Sequence, residues 1–129
     1  MNSVSTDIKD LLIANSLGTF GADLFIGKEP AEVNNCVTLF DYSNGTDGDL
    51  EGIPYYRDSL QIRGRDVSYQ NGWEKLQAIK EFLNYKGNFE LNGTHYSVII
   101  CTSGPEIIEY DKNNRARFSM NLNIQRRTI

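Results

Sequence analysis

Histidine is almost absent from the chain. His95 is the only one in 129 residues, and there are two cysteines, Cys36 and Cys101, far apart and outside any C-x-x-C string. A zinc site would need ligands drawn from these three residues without the usual close pairing, so metal chemistry of that kind has no support. No G-x-S-x-G, P-loop, G-x-G-x-x-G or H-E-x-x-H string occurs either. The two thiols, each in a strand-like run, read as small buried hydrophobes. Long apolar runs are also missing. None exceeds four residues, as in Val98 to Cys101, whereas a membrane-spanning helix needs about 18 or more. The segment Met1 to Asp7 has no basic stretch followed by an apolar one, so the expectation is a soluble protein without a signal peptide, made in the cytosol. The two N-x-T strings at Asn44 and Asn92 therefore carry no glycosylation meaning.

An excess of positive charge is missing too. The net charge is -4 and the isoelectric point about 4.9, which argues against general affinity for nucleic acid. What is present is asymmetry. Residues 1–58 hold ten acids and three bases, residues 59–129 seven acids and ten bases, and no acid follows Asp111. Such a division suits a dipolar surface on which an acidic face of one copy meets a basic face of the next.

At 129 residues and 40% hydrophobic composition the chain fits one domain, 1–129. Val4, Ile8, Leu11 and Leu12 predict a first helix, capped from Ser3, Ser5 or Thr6 and ended near Gly18, with Asp7 on its polar side. Residues 22–28 are a short apolar stretch, and Cys36 to Tyr42 is β-branched and aromatic, hence a strand. Residues 43–54, rich in Gly, Asp and Asn, predict an exposed, acidic, flexible loop. Residues 59–66 alternate, with Leu60 and Ile62 on one face and Gln61, Arg63 and Arg65 on the other. Trp73, Leu76, Ile79, Phe82 and Leu83 mark a helix over 68–85. Asn92-Gly93 between strand-like runs predicts a hairpin, Ser103 to Pro105 a turn, Glu106 to Asp111 a further strand, and the alternation from Ala116 to Gln125 a long final strand. The fold class that follows is α+β: a mostly antiparallel, sandwich-like sheet with one or two helices packed on it.

One metal-like string remains. Asp47, Asp49 and Glu51, with Asp58 at the twelfth position, match the start of a calcium loop. Pro54 and the strand-like flanks break the pattern, so a solvated acidic loop is the reading taken, with no metal and no cofactor. His95 on its hairpin reads as a surface residue.

The ordered series of features is similar to the tail terminator and minor capsid proteins of long-tailed bacteriophages. It comprises Leu60-Gln-Ile-Arg63-Gly-Arg65, Tyr69, a helix ending at Leu83, Gly93 and Tyr96, Gly104-Pro105, Asp111 to Arg115, and the closing run from Phe118 through Asn121 to Arg126. It spans roughly residues 22–127; Gly64 within its strand departs from the pattern and reads as the mark of a bulge. The resemblance implies a virion structural protein rather than an enzyme. It would form a ring, typically a hexamer, at the head–tail junction. The ring would cap the tail tube protein, stop tube growth and join a head–tail connector protein, while phage DNA passes through without specific binding. On that reading Arg63, Arg65, Arg115 and Arg117 are oligomer-interface candidates. Asp47, Asp49 and Glu51 are channel-lining candidates, because carboxylates repel phosphates. The alternatives are a connector or head-completion protein, a small-molecule-binding or enzymatic α+β domain, and a calcium-dependent module.

Overall fold

The computed structural model describes residues 1–43, 48–50 and 53–129; for Ser43, 48–50, Ile53 and Pro54 only the backbone is described. Chain order is α1 (Val4–Ala14), β1 (Leu24–Ile26), β2 (Cys36–Ser43), β3 (Gly48–Leu50), β4 (Ile53–Asp66), α2 (Tyr69–Leu83), β5 (Gly87–Leu91), β6 (Thr94–Tyr110) and β7 (Ala116–Thr128).

Both helices form where the periodicity predicts, because a side-chain cap starts each. Ser3 accepts the Thr6 N–H and Ser68 accepts the Asn71 N–H, so one otherwise orphaned donor per helix is satisfied. Val4, Ile8 and Leu12 form the buried stripe of α1, and Leu76, Ile79 and Leu83 that of α2. α1 stops at Asn15, ahead of Gly18, with Ser16 in a left-handed conformation (φ 59°).

The strands join in the order β1-β2-β4-β7-β6-β5, with β3 folded back on the start of β4. Pairing is antiparallel throughout except β1 with β2, so the sheet is mixed. Instead of a sandwich, the described residues form one sheet curled into a half-barrel, with the helices on one face. The curl is visible in what α1 touches. Ser5 binds Asp41 of β2, and Asp7 binds Asn92 of the β5–β6 turn, from opposite sides of the sheet. The core lies between: Leu39, Leu60, Ile62, Ile99, Phe118, Met120, Leu122 and Ile124 meet the two helical stripes.

Three local expectations change. The acidic loop is partly strand, since 48–50 pair with 53–55. Ser103 to Pro105 is no turn but a bulged passage inside β6, which runs on through the strand expected at 106–111. Among the described residues no strand pairs with the outer side of β6 at Pro105, an edge position of the kind where proline is tolerated. Gly64 marks no bulge. It sits in regular register between Val37 and Phe118, and a Cβ on it would lie 3.1 Å from Leu76, so it admits α2 close to the sheet. At the β5–β6 turn, Asn92 and Gly93 both have positive φ (50° and 76°), as a two-residue hairpin of this kind requires.

Gly72 on α2 is tighter still. A Cβ would meet the Phe118 ring at 2.8 Å and the Asp66 Cβ at 3.0 Å. Gly72→Ala is therefore expected to destabilise the fold by about 1–3 kcal/mol through overpacking, despite its better helix propensity, as read by urea denaturation.

Candidate functional site

The connection between the parallel strands β1 and β2 has to travel back along the sheet. The helices occupy one face, so residues 27–35 cross the other. Three arginines hold them there. Arg65 of β4 stands directly opposite Arg117 of β7, and Arg115 immediately precedes β7. Arg65 donates through Nη2 to the carbonyls of Pro30 and Val33, the latter at 2.6 Å. Arg115 donates through Nη1 to the Ala31 carbonyl at 2.9 Å and through Nε to Asp111 at 2.8 Å. Arg117 is held between Glu29 at 2.8 Å and Glu109 at 2.5 Å. A planar guanidinium suits this work because it offers several donors in fixed directions to carbonyls that have no strand partner. Burial works against the charge on Arg117, but Glu29 and Glu109 outweigh it and raise its pKa. At Asp111 burial also favours the neutral form, yet the N–H groups and guanidinium of Arg115 and the Asn113 N–H prevail and hold the carboxyl below its ordinary 3.8.

Of the four arginines singled out in the sequence, the structure thus brings three together as an internal clamp. Arg65 and Arg115 are each 5% exposed. Arg63 stands apart from the clamp, its Nε on Gln61 at 2.8 Å and its guanidinium 4.9 Å above the Phe40 ring. Asp47 and Glu51 lie outside the described residues, as does the side chain of Asp49. Asp58, the twelfth position of the calcium-like string, binds Arg126 Nε at 2.7 Å. His95 is half-buried on β6.

A second cluster went unrecognised in the sequence. Asp7 is fully buried beneath α1. The Tyr96 hydroxyl donates to it, as do Asn92 at 2.8 Å and Asn2 at 3.1 Å, and Arg126 Nη1 lies 3.9 Å away. Arg126 also donates to the Asn2 carbonyl at 2.7 Å. Burial first, and the Asp7 carboxylate second, raise the Tyr96 pKa far above its ordinary value, so the phenol keeps the proton it donates. A signal was there to be read. The apolar alternation 116, 118, 120, 122, 124, carried one step further, puts Arg126 on the buried face.

The opposite face of the sheet carries an uncharged ladder. Asn121 accepts from Tyr42 and Gln61, each at 3.4 Å, and donates to Ser103 at 2.9 Å, while Ser59 donates to Asn123 at 3.0 Å. The better-formed cleft, of about 210 Å³, lies at the start of α2 and is lined among others by Asp23, Cys36, Arg65, Asp66 and Lys75. Burial raises the Cys36 thiol pKa, against the opposing pull of Arg65, so the sulfur there is a protonated thiol rather than an activated nucleophile. Among the described residues no group of three His, Cys, Asp or Glu is placed to hold a metal ion, and no helix is long and apolar enough to cross a membrane.

These features make a sheet scaffold with internal ionic bracing. Residues 11–128 match the family described as bacteriophage tail terminator protein, and the chain belongs to that family. It is accordingly a structural protein of the phage tail. Among solved structures it is similar to a chain from the virion of a native gene transfer agent particle, with a TM-score of 0.75 over 97% of this chain and 95% of that one. Identity is 11%, a likeness of fold. No curated protein sequence matches.

Two measurements check the ionic bracing. Arg126→Met leaves Asp7 and Asp58 without their shared cation and is expected to cost about 3–5 kcal/mol in urea denaturation, whereas Arg127→Met should stay within about 0.5 kcal/mol. Asp111 has a folded pKa below its unfolded one, so its contribution is present above pH 3.8 and fades as pH falls through the folded value. Asp111→Asn should therefore be less stable than wild type at pH 6, with the difference vanishing well below pH 3.8.

Proposed function

We propose that the chain is a non-enzymatic tail terminator whose copies form a ring, a hexamer, at the head–tail junction of the virion. The ring caps the tail tube protein, stops its growth and presents a surface to the head–tail connector protein, and phage DNA passes through it without specific binding. Synthesis takes place in the host cytoplasm. The family match over nearly the whole chain carries this reading and favours it over a connector or an enzyme. A solved neighbour with this fold comes from a virion, which supports the same direction. A heterologous ring needs two different patches on each subunit. Arg63, outside the clamp, is the arginine best placed to serve at such an interface. Arg65, Arg115 and Arg117 act on it indirectly, by fixing the 27–35 crossing. Asp47, Asp49 and Glu51 stay in this reading as the channel-lining candidates, since carboxylates repel phosphates.

Light scattering of the purified chain is expected to give about six times the 14.6 kDa chain mass, as for a closed cyclic assembly. Particles produced with the gene interrupted should carry tails of uncontrolled length without heads. Normal tails in its absence would overturn the reading.

A further inference from the structure

β5 covers only the first part of the long strand β6. The last paired residues are Gly87 and Val98, followed by backbone bonds between Lys86 or Tyr85 and Ile99. Beyond them, to Tyr110, no described strand lies along the outer edge of β6, although its inner edge stays paired with β7 to the end. An open edge presents unpaired backbone donors and acceptors to any neighbouring chain, and proteins ordinarily mask one with charges or bulges. β6 has both, with Glu106 and Glu109 and three register shifts between Cys101 and Glu109. It nonetheless exposes Ile107 (43%), Ile108 (46%) and Tyr110 (54%). Ile107 is paired with Phe118, and the half-exposed Tyr69 ring stands edge-on to Phe118 at 5.1 Å, so Tyr69 extends this patch over the start of α2. Large apolar side chains left exposed along one uncovered edge of a small domain suit a place where another molecule sits.

The far side of the same sheet offers its counterpart. β1 is the opposite edge strand, and the turn before it presents Phe20, 52% exposed, with the Lys9 ammonium 5.0 Å above its ring. Ile13 of α1 is exposed as well, and Lys28, just past β1, is exposed with no ion-pair partner among the described residues. The first edge is thus apolar with an exposed Glu106, since Glu109 pairs with Arg117, and the second is apolar with an exposed Lys28, since Lys9 pairs with Asp10 at 3.2 Å. β1 with Phe20 ends the strand order on one side and the uncovered part of β6 lies near the other, so a subunit can use both at once, as a head-to-tail contact demands.

We infer that the open β6 edge, Glu106 to Tyr110 with Tyr69, receives the β1 edge of a second copy, Phe20 and Lys28 foremost. This rests on the ring reading above and says which surfaces build the ring. Lys28 of one subunit faces Glu106 of the next, and Phe20 packs on Ile107, Ile108 and Tyr110. The contact uses none of the clamp arginines.

The test is a charge exchange in the full chain, read by light scattering and by mass photometry across a dilution series. Glu106→Lys alone and Lys28→Glu alone should each raise the concentration for half assembly ~tenfold, and the double variant should return it near wild type. Ile108→Asp should leave a folded species of single-chain mass. All three positions are exposed, so an unchanged melting temperature is expected and separates lost contact from lost fold. Rings that persist in every variant, or a double variant no better than the singles, would overturn this interface while leaving the ring standing. A wild-type chain of single-chain mass at every concentration would overturn the ring itself.

Discussion

A carboxylate sealed from water constrains everything around it. Asp7 sits beneath α1 with no exposed surface, and an ionised group in such a place is tolerable only if donors surround it. They come from distant parts of the chain: Tyr96 on β6, Asn92 on the β5–β6 turn, Asn2 ahead of α1, and Arg126 near the end of β7. Each must be in place for the others to be stable, so the helix, the hairpin and the curl of the sheet are set together. Apolar packing of Ile8 and Leu12 would hold α1 against the sheet in many orientations. The buried polar cluster selects one.

The charge asymmetry of the sequence takes on a different meaning in this light. The acidic first half and the basic second half meet inside a single molecule. Asp7 and Asp58 face Arg126, and Glu29 faces Arg117. These ion pairs bridge the sequence halves through β4 and β7, the strands at the centre of the sheet. Opposite charges far apart in sequence need not advertise a partner; here they hold the 27–35 crossing and the foot of α1. The exposed charges left over, such as Lys28 and Glu106, are the ones open to a neighbour.

Much of the fold was legible because it rests on local periodicity. The alternation of β7, the helical spacing of Leu76, Ile79 and Leu83, and the Asn92-Gly93 turn all formed where pattern and propensity placed them. Sheet order was not legible, since nothing local tells β4 to sit between β2 and β7. Nor was the continuity of β6, because Gly104-Pro105 reads as a break and becomes a bulge only on an uncovered edge. The arginines were recognisable as a group but not as a clamp. Arg65 and Arg115 bind backbone carbonyls of residues 30–33, and a carbonyl leaves no trace in a sequence.

β7 pairs with β4 and β6 and supplies much of the core, yet it follows all of its neighbours in the chain. β4 and β6 therefore wait for it. Until residues 116–128 have emerged from the ribosome, the β2–β4 pair and the β5–β6 hairpin are separate pieces with an exposed apolar face each, and Asp7 lacks Arg126. Such a high-contact-order arrangement predisposes to late, concerted collapse rather than progressive folding from the N-terminus. The practical consequence is timing: the chain holds its folded surfaces only once β7 is in place.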